Sequence, residues 1–182
     1  MNFVQPIRDG ELIKEIEVFL KETDSRNFMM FLLGTYTGLR ISDILRLRVK
    51  DVADKSYINL KEKKTSKHKR IPINPVLKRE LKAYIEGKPM NECLIKSRVG
   101  NNQAISRSQA YRIMREVANE FNLDEIGTHS MRKTFGYHYY KQTKDIAFLQ
   151  KVFNHAKPED TLRYIGLDQD TLDKGMKKFR YY

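Results

Sequence analysis

The sequence predicts a mainly α-helical chain that carries one small antiparallel β-hairpin, an α+β fold. Two patterns and one absence lead to it. From residue 9 onward, apolar residues recur in most segments at i, i+3 and i+4, the spacing that lines one face of a helix. Between Asp51 and Ile73 the pattern changes to two short strands, residues 57–60 and 69–73, on either side of a lysine-rich tip. No internal repeat or low-complexity linker interrupts the chain, so residues 1–182 are expected to form a single domain.

Asp9 is a candidate N-cap for a helix reaching about Thr23, with Leu12, Ile16, Phe19 and Leu20 as its apolar stripe. Asp24 or Ser25 can cap a second helix. Its centre, residues 28–33, is apolar on every side, which places it in the core, and Thr37 and Gly38 end it. A short helix then begins near Arg40 or Ser42, with Ile41, Ile44, Leu45 and Arg48 at helical spacing. Arg40 therefore stands at a turn feeding a helix N-terminus, where free N–H groups and the helix dipole favour an anion. Local sequence alone favours a plainer reading, a solvated arginine paired with Asp43 three residues on.

Residues 61–70 hold six Lys or Arg against one Glu. Such a run is commonly a solvated face. On a basic chain it can also lie along a nucleic-acid backbone, through Lys63, Lys67, Lys69 and Arg70, or place one ammonium in an active site. Pro75 opens a helix to about Glu86 that buries Leu77, Leu81 and Ile85. A short strand is expected at residues 93–95 and a polar loop at 97–102. Ser106 caps a helix to about Asn122, with Ala110, Ile113, Met114 and Val117 inward. Its Arg107, Arg112 and Arg115 fall on outer positions where phosphates can be met. Thr128 or His129 begins an aromatic-rich helix on which His138 reads as a packing histidine. Residues 145–153 form an amphipathic helix, and Pro158 opens another to about Ile165. A last helix is expected from Asp170 to Phe179, with Leu172, Met176 and Phe179 on one stripe.

Composition narrows the function. Lys and Arg exceed Asp and Glu by 12 charges, which points to a polyanionic partner, most simply nucleic acid. Cys93 is the only cysteine, which rules out an internal disulfide and a cysteine-rich zinc site. The first residues lack a signal-peptide profile, and the longest apolar run, residues 28–33, is too short to span a bilayer. The expected location is the cytoplasm, at the nucleoid, with no membrane association.

The chemistry concentrates in the last third. His129 and Arg132 stand three apart, on one helical face; Asn154-His155 follows, then Thr161 and Tyr164. Arginine grips phosphate oxygens in a bidentate fork, histidine moves protons near neutral pH, and tyrosine can act as a covalent nucleophile. A metal site from His129, His138 and His155 lacks acidic or cysteine partners, so neither metal nor cofactor is expected.

These residues bring out a resemblance. The stretch Thr37-Gly-Leu-Arg-Ile-Ser-Asp-Ile44 is similar to the first arginine box of tyrosine recombinases, the phage integrases and Xer-type recombinases. Lys64-Thr-Ser66, on a hairpin ending Ile71-Pro-Ile73, resembles their lysine hairpin. His129-Ser-Met-Arg132 resembles their H-x-x-R box, and Val152-Phe-Asn-His155 with Thr161 and Tyr164 their second histidine and nucleophile. The four blocks stand in the family's order over nearly the whole chain. Asp43 stands where glutamate is commoner, Lys133 follows the second arginine, and Asn154 replaces a glycine. The chain also begins almost at the catalytic domain, without the helical DNA-clamping domain that usually precedes it, either as a cut piece or as a natural short form.

The resemblance implies the tyrosine recombinase catalytic fold and a site-specific recombinase or integrase acting on double-stranded DNA. Tyr164 would attack a phosphodiester to give a 3′-phosphotyrosyl link, and Arg40 and Arg132 would clamp the phosphate oxygens. Lys64 would protonate the leaving 5′-oxygen, with His129 and His155 assisting, and neither metal nor ATP would be needed. It also implies assembly into dimers or tetramers on DNA. A topoisomerase-like strand-passing enzyme and a non-catalytic DNA-binding protein of the same fold remain as alternatives, and an RNA-binding domain leaves the ordered tetrad unexplained.

Overall fold

The computed structural model describes residues 4–61 and 68–180; the side chains of Gln169, Leu172 and Lys174 also lie outside the description. Lys63, Lys64 and Lys67 therefore fall outside the described residues.

The first two helices begin where their caps dictate. Asp9 accepts from the Glu11 N–H at 2.8 Å and starts α1, Gly10–Thr23. Asp24 accepts from the N–H groups of Arg26 and Asn27 at 3.0 and 3.2 Å and starts α2, Ser25–Thr37. Each bond satisfies a donor that the first helical turn leaves without an internal partner. Residues 28–34 are all buried, so α2 runs through the middle of the core as its all-round apolar centre demands. Gly38, at φ +62°, ends it in the left-handed region that suits glycine, and a Cβ there would lie 2.5 Å from the Phe135 ring. Arg40, in extended conformation, then leads into the short α3, Ile41–Ile44.

Strands β1, Tyr57–Lys61, and β2, His68–Pro72, pair antiparallel, with Ile58 opposite Ile71 and Leu60 opposite Lys69. They make the only sheet among the described residues. The strand expected at residues 93–95 is absent. Isolated bridges join Arg48 to Cys93 and Lys96 to Ala104, so this segment pairs with a different partner at each end and never builds a ladder. Its apolar signal was core burial instead, since Leu94 and Ile95 are buried.

Asn74 caps α4, Pro75–Ile85, and Ser106 caps α5, Arg107–Glu120, through a reciprocal bond with Gln109. The long α6, Thr128–Thr143, is followed by α7, Ile146–Phe153, α8, Pro158–Tyr164, and α9, Leu167–Lys178. The last helix starts three residues earlier than expected. Gly166, left-handed at φ +83°, separates it from α8, and Asp170 is used elsewhere. No described helix is long and apolar enough to cross a membrane.

Two apolar cores result, and α6 joins them. The main core gathers α1, α2, α4 and α5 with Met131 of α6. A second, smaller core holds Tyr137, Leu149, Phe153 and Ile165, with Tyr164 packed at its edge. Close approach depends on Gly136. A Cβ there would lie 2.6 Å from Ile165 Cγ2 and 2.7 Å from Phe153 Cζ.

Candidate active site

Arg132 is the anchor. It lies on the second turn of α6, is almost wholly buried, and donates Nη1 to the Gly38 carbonyl and Nη2 to the Val152 carbonyl, the latter at 3.3 Å. Its guanidinium carbon sits 4.5 Å from the centre of the Phe153 ring. A buried guanidinium needs such partners, since an unpaired charge would lose on the order of several kcal/mol of hydration. Arg40 approaches the same place from the α2–α3 turn and donates Nη2 to the Phe153 carbonyl at 3.5 Å. The two arginines, 92 positions apart in sequence, thus converge on consecutive carbonyls at the C-terminal end of α7. Carbonyl groups at a helix end carry partial negative charge, which suits cations.

That helix end is turned by Asn154, left-handed at φ +58°. A glycine or an asparagine suits this conformation, so the asparagine in place of the usual glycine leaves the turn intact. The turn presents His155. Its Nδ1 lies 3.0 Å from the hydroxyl of Thr161, the buried residue in the middle of α8, which fixes the ring. Tyr164, at the end of α8, meets the His155 ring edge-on with centroids 5.2 Å apart and the Phe153 ring at 5.1 Å.

Proton affinities follow from this packing. Burial pushes the Tyr164 phenol up, and a hydrogen bond and the charge of Arg132, with the charge of Arg40, pull it back. The His155 imidazole is held below its ordinary value, first by burial and then by Arg132 and Arg40, while Asp160 opposes them. Both groups are therefore neutral near pH 7.

The other expected residues fall in several places. His129 lies one turn before Arg132 on α6 and is exposed. Lys69, expected along a DNA backbone, turns inward instead and donates Nζ to the Val152 carbonyl, the same atom that Arg132 reaches. The β2 alternation explains it, because Lys69 shares a face with Ile71 whereas Arg70 is exposed and covers the Tyr57 ring at 3.7 Å. Arg107 and Arg112 are exposed on the outer side of α5, away from its buried stripe. His138 packs as expected, its Nε2 at 2.9 Å from the Ile7 carbonyl.

Sequence reasoning passed over two neighbours of Tyr164. The Lys133 ammonium lies 5.2 Å from the centre of the Tyr164 ring and donates to the Val4 carbonyl at 2.7 Å. Arg8 reaches the segment just after Tyr164. Nothing in local periodicity announces either, since both depend on where residues 4–8 cross α6. Two tyrosines of α6 are engaged elsewhere. Tyr137 donates to Asp170 Oδ2 at 2.9 Å, and burial first, then that carboxylate, pushes its phenol up to about 12. Tyr139 stacks on Phe148 at 4.4 Å.

Two cations on a helix end, a neutral imidazole and an adjacent phenol form a site that can bind a phosphodiester and attack it. Comparison with known proteins agrees. Residues 10–170 match the model of the phage integrase family. The chain is 49% identical over 179 residues to the probable integrase/recombinase YoeC of Bacillus subtilis (strain 168), covering 98% of each. It is 26% identical to the tyrosine recombinase XerA of Pyrococcus furiosus, over 94% of this chain and 60% of that longer one. The solved structure of the site-specific recombinase XerH on palindromic difH substrate, a post-cleavage complex, superposes with a TM-score of 0.73 at 19% identity. It covers 97% of this chain and 54% of that one. On these grounds the chain belongs to the phage integrase family.

Proposed function

We propose that this protein is a site-specific DNA recombinase or integrase that cuts and rejoins strands through a 3′-phosphotyrosyl link on Tyr164. The convergence of Arg40, Arg132 and His155 around the Tyr164 ring carries the reading. The relatives named above are integrases or recombinases, which favours recombination over topoisomerase-like relaxation.

In this scheme residues 1–182 act as one catalytic domain on double-stranded DNA. Arg40 and Arg132 leave the α7 carbonyls for the non-bridging oxygens of the scissile phosphate. There they offset the charge that builds in the transition state, an effect of about 3–4 kcal/mol per donor. Tyr164 attacks phosphorus as its proton passes to the neutral His155, and the P–O5′ bond breaks. Lys64, outside the described residues, protonates the departing 5′-oxygen, and His129 hydrogen-bonds the phosphate. A 5′-hydroxyl from the same or a partner strand then attacks the phosphotyrosine, reforms the diester and returns the phenol. The phosphoester bond is exchanged rather than hydrolysed, so the cycle needs no ATP. Arg70, Arg107 and Arg112, with Lys63 and Lys67, track the DNA backbone. Assembly of two or four copies on DNA and residence at the nucleoid complete the proposal.

A duplex nicked near the cleavage site tests it, because the short cut strand diffuses away and traps the covalent complex. The expected result is a protein–DNA adduct that forms equally in EDTA. Free cleaved ends with no adduct, or cleavage that requires Mg²⁺, would overturn the reading.

A further inference from the structure

Residues 4–8 form a strap across α6. The Gln5 N–H donates to the Glu125 carbonyl at 2.8 Å, the Ile7 N–H donates to Thr134 Oγ1 at 2.8 Å, and Lys133 Nζ donates to the Val4 carbonyl. The strap ends at Arg8, whose guanidinium reaches forward more than 150 positions. Its Nε donates to Asp170 Oδ1 at 2.7 Å, and its Nη2 donates to Gln5 Oε1 at 3.1 Å and to the Gly166 carbonyl at 3.3 Å. Asp170 is tied on its other oxygen by the Tyr137 hydroxyl. The pair is sheltered, with Asp170 13% exposed, so it is screened less than a surface salt bridge.

The place it holds matters. Gly166 is the left-handed joint between α8 and α9, two residues after Tyr164, and a Cβ on it would lie 2.9 Å from Arg8 Nη2. Without the arginine, α9 and the C-terminal end of α8 would still meet α6 through the small second core, the Tyr137–Asp170 hydrogen bond and the Lys133 contact with the Tyr164 ring, but the Gly166 joint itself would lose its clamp. The cation of Lys133, itself held by the strap, lies over the Tyr164 ring. Two contacts from one strap thus bear on the nucleophile, one on its ring and one on the chain directly after it.

We propose that Arg8 is a positioning residue for Tyr164: by clamping the Gly166 carbonyl and Asp170 it sets the angle at which α8 delivers the phenol to the phosphate. This rests on Tyr164 being the nucleophile. Arg8 bonds to Asp170, Gln5 and the Gly166 carbonyl, so its removal should spare DNA binding and misplace the attacking oxygen, a displacement of about 1 Å being worth up to a hundredfold in rate.

The test measures adduct formation in a single turnover at saturating nicked duplex, together with the Kd for the same DNA, in the full chain. Arg8→Ala should slow adduct formation about tenfold or more with Kd unchanged. Asp170→Asn should do the same, and the double variant should be no slower than the worse single one, because both residues serve one clamp. Arg8→Lys keeps the ion pair but not the fork, so it should recover part of the rate. Wild-type adduct rates in Arg8→Ala, additive losses in the double variant, or a loss that falls on Kd would overturn the positioning role. A wild-type protein that forms no adduct would overturn the nucleophile assignment itself, which is visible before any variant is compared.

Discussion

Near Tyr164, burial acts on two proton sites in opposite directions, and both shifts favour the uncharged pair. The phenol is raised, so it holds its proton at neutral pH; the His155 imidazole is lowered, so it is neutral there and, in the proposed reaction, open to accept that proton. The pH dependence follows. The imidazole loses its accepting form only as pH falls through a value below the usual histidine pKa of about 6.5. Adduct formation should therefore hold steady from pH 8 to about 6.5 and decline only below that. Protonation at lower pH also favours the unfolded chain, where the imidazole charges freely, so the contribution to stability is full above the ordinary value and lost below it. His155→Gln should cost about a hundredfold in rate and erase this acid limb. A rate that falls already between pH 8 and 7 would assign the titration to another group. At this scale the grouping of Arg40, Arg132, His155 and Tyr164 was legible, because their types and order along the chain leave few alternatives. The partners of Arg132 were not, since the Gly38 carbonyl lies 94 positions away and carries no side-chain signature.

Helix boundaries were legible wherever a side chain caps the backbone. Asp9, Asp24 and Ser106 each accept the N–H that their position requires. The left-handed break at Gly38 was legible as well, but the one at Gly166 was not, and it moved the start of α9 to Leu167. Residues 93–95 show the other failure, since an apolar triplet buried in a core looks like a strand until its neighbours are known. Of the stripe expected on α9, Met176 and Phe179 are 73% and 56% exposed, while Asp170 ties the root of the helix to its own domain. Gly136 gives the sharpest element-level expectation. Alanine there would improve helix propensity by about 0.5–1 kcal/mol. Its methyl would also press on Phe153 and Ile165, an overpacking cost of about 1–3 kcal/mol. The second term wins, so Gly136→Ala should melt several degrees lower and slow adduct formation, because Phe153 carries both the Arg132 stack and the Tyr164 contact. Thermal melting with the nicked-duplex assay checks both. An unchanged melting temperature would mean that the two cores yield more easily than their packing implies.

Over the whole molecule, an excess of 12 positive charges makes affinity for DNA an ion-exchange process. Binding should weaken steeply with salt, and Arg107→Ala or Arg112→Ala should each lower the slope of log K against log salt by about 0.9 if its side chain meets one phosphate. An unaltered slope in either variant would remove that residue from the DNA-facing surface. Charge and fold class were visible in composition and periodicity alone. The arrangement in which α6 bridges a large core and a small one, with Tyr164 at the edge of the small one, was not, because it depends on glycines and on a strap with no periodic pattern.

The most direct measurement identifies the amino acid that carries the DNA. The trapped adduct would be digested with nuclease and trypsin, and the nucleotide-bearing peptide sequenced by mass spectrometry. The expected result is a nucleotide remnant on Tyr164, at the N-terminus of the peptide released after Arg163, and no adduct in Tyr164→Phe. A remnant on Tyr137, Tyr139 or Tyr140, or an adduct that persists in Tyr164→Phe, would contradict the site described here.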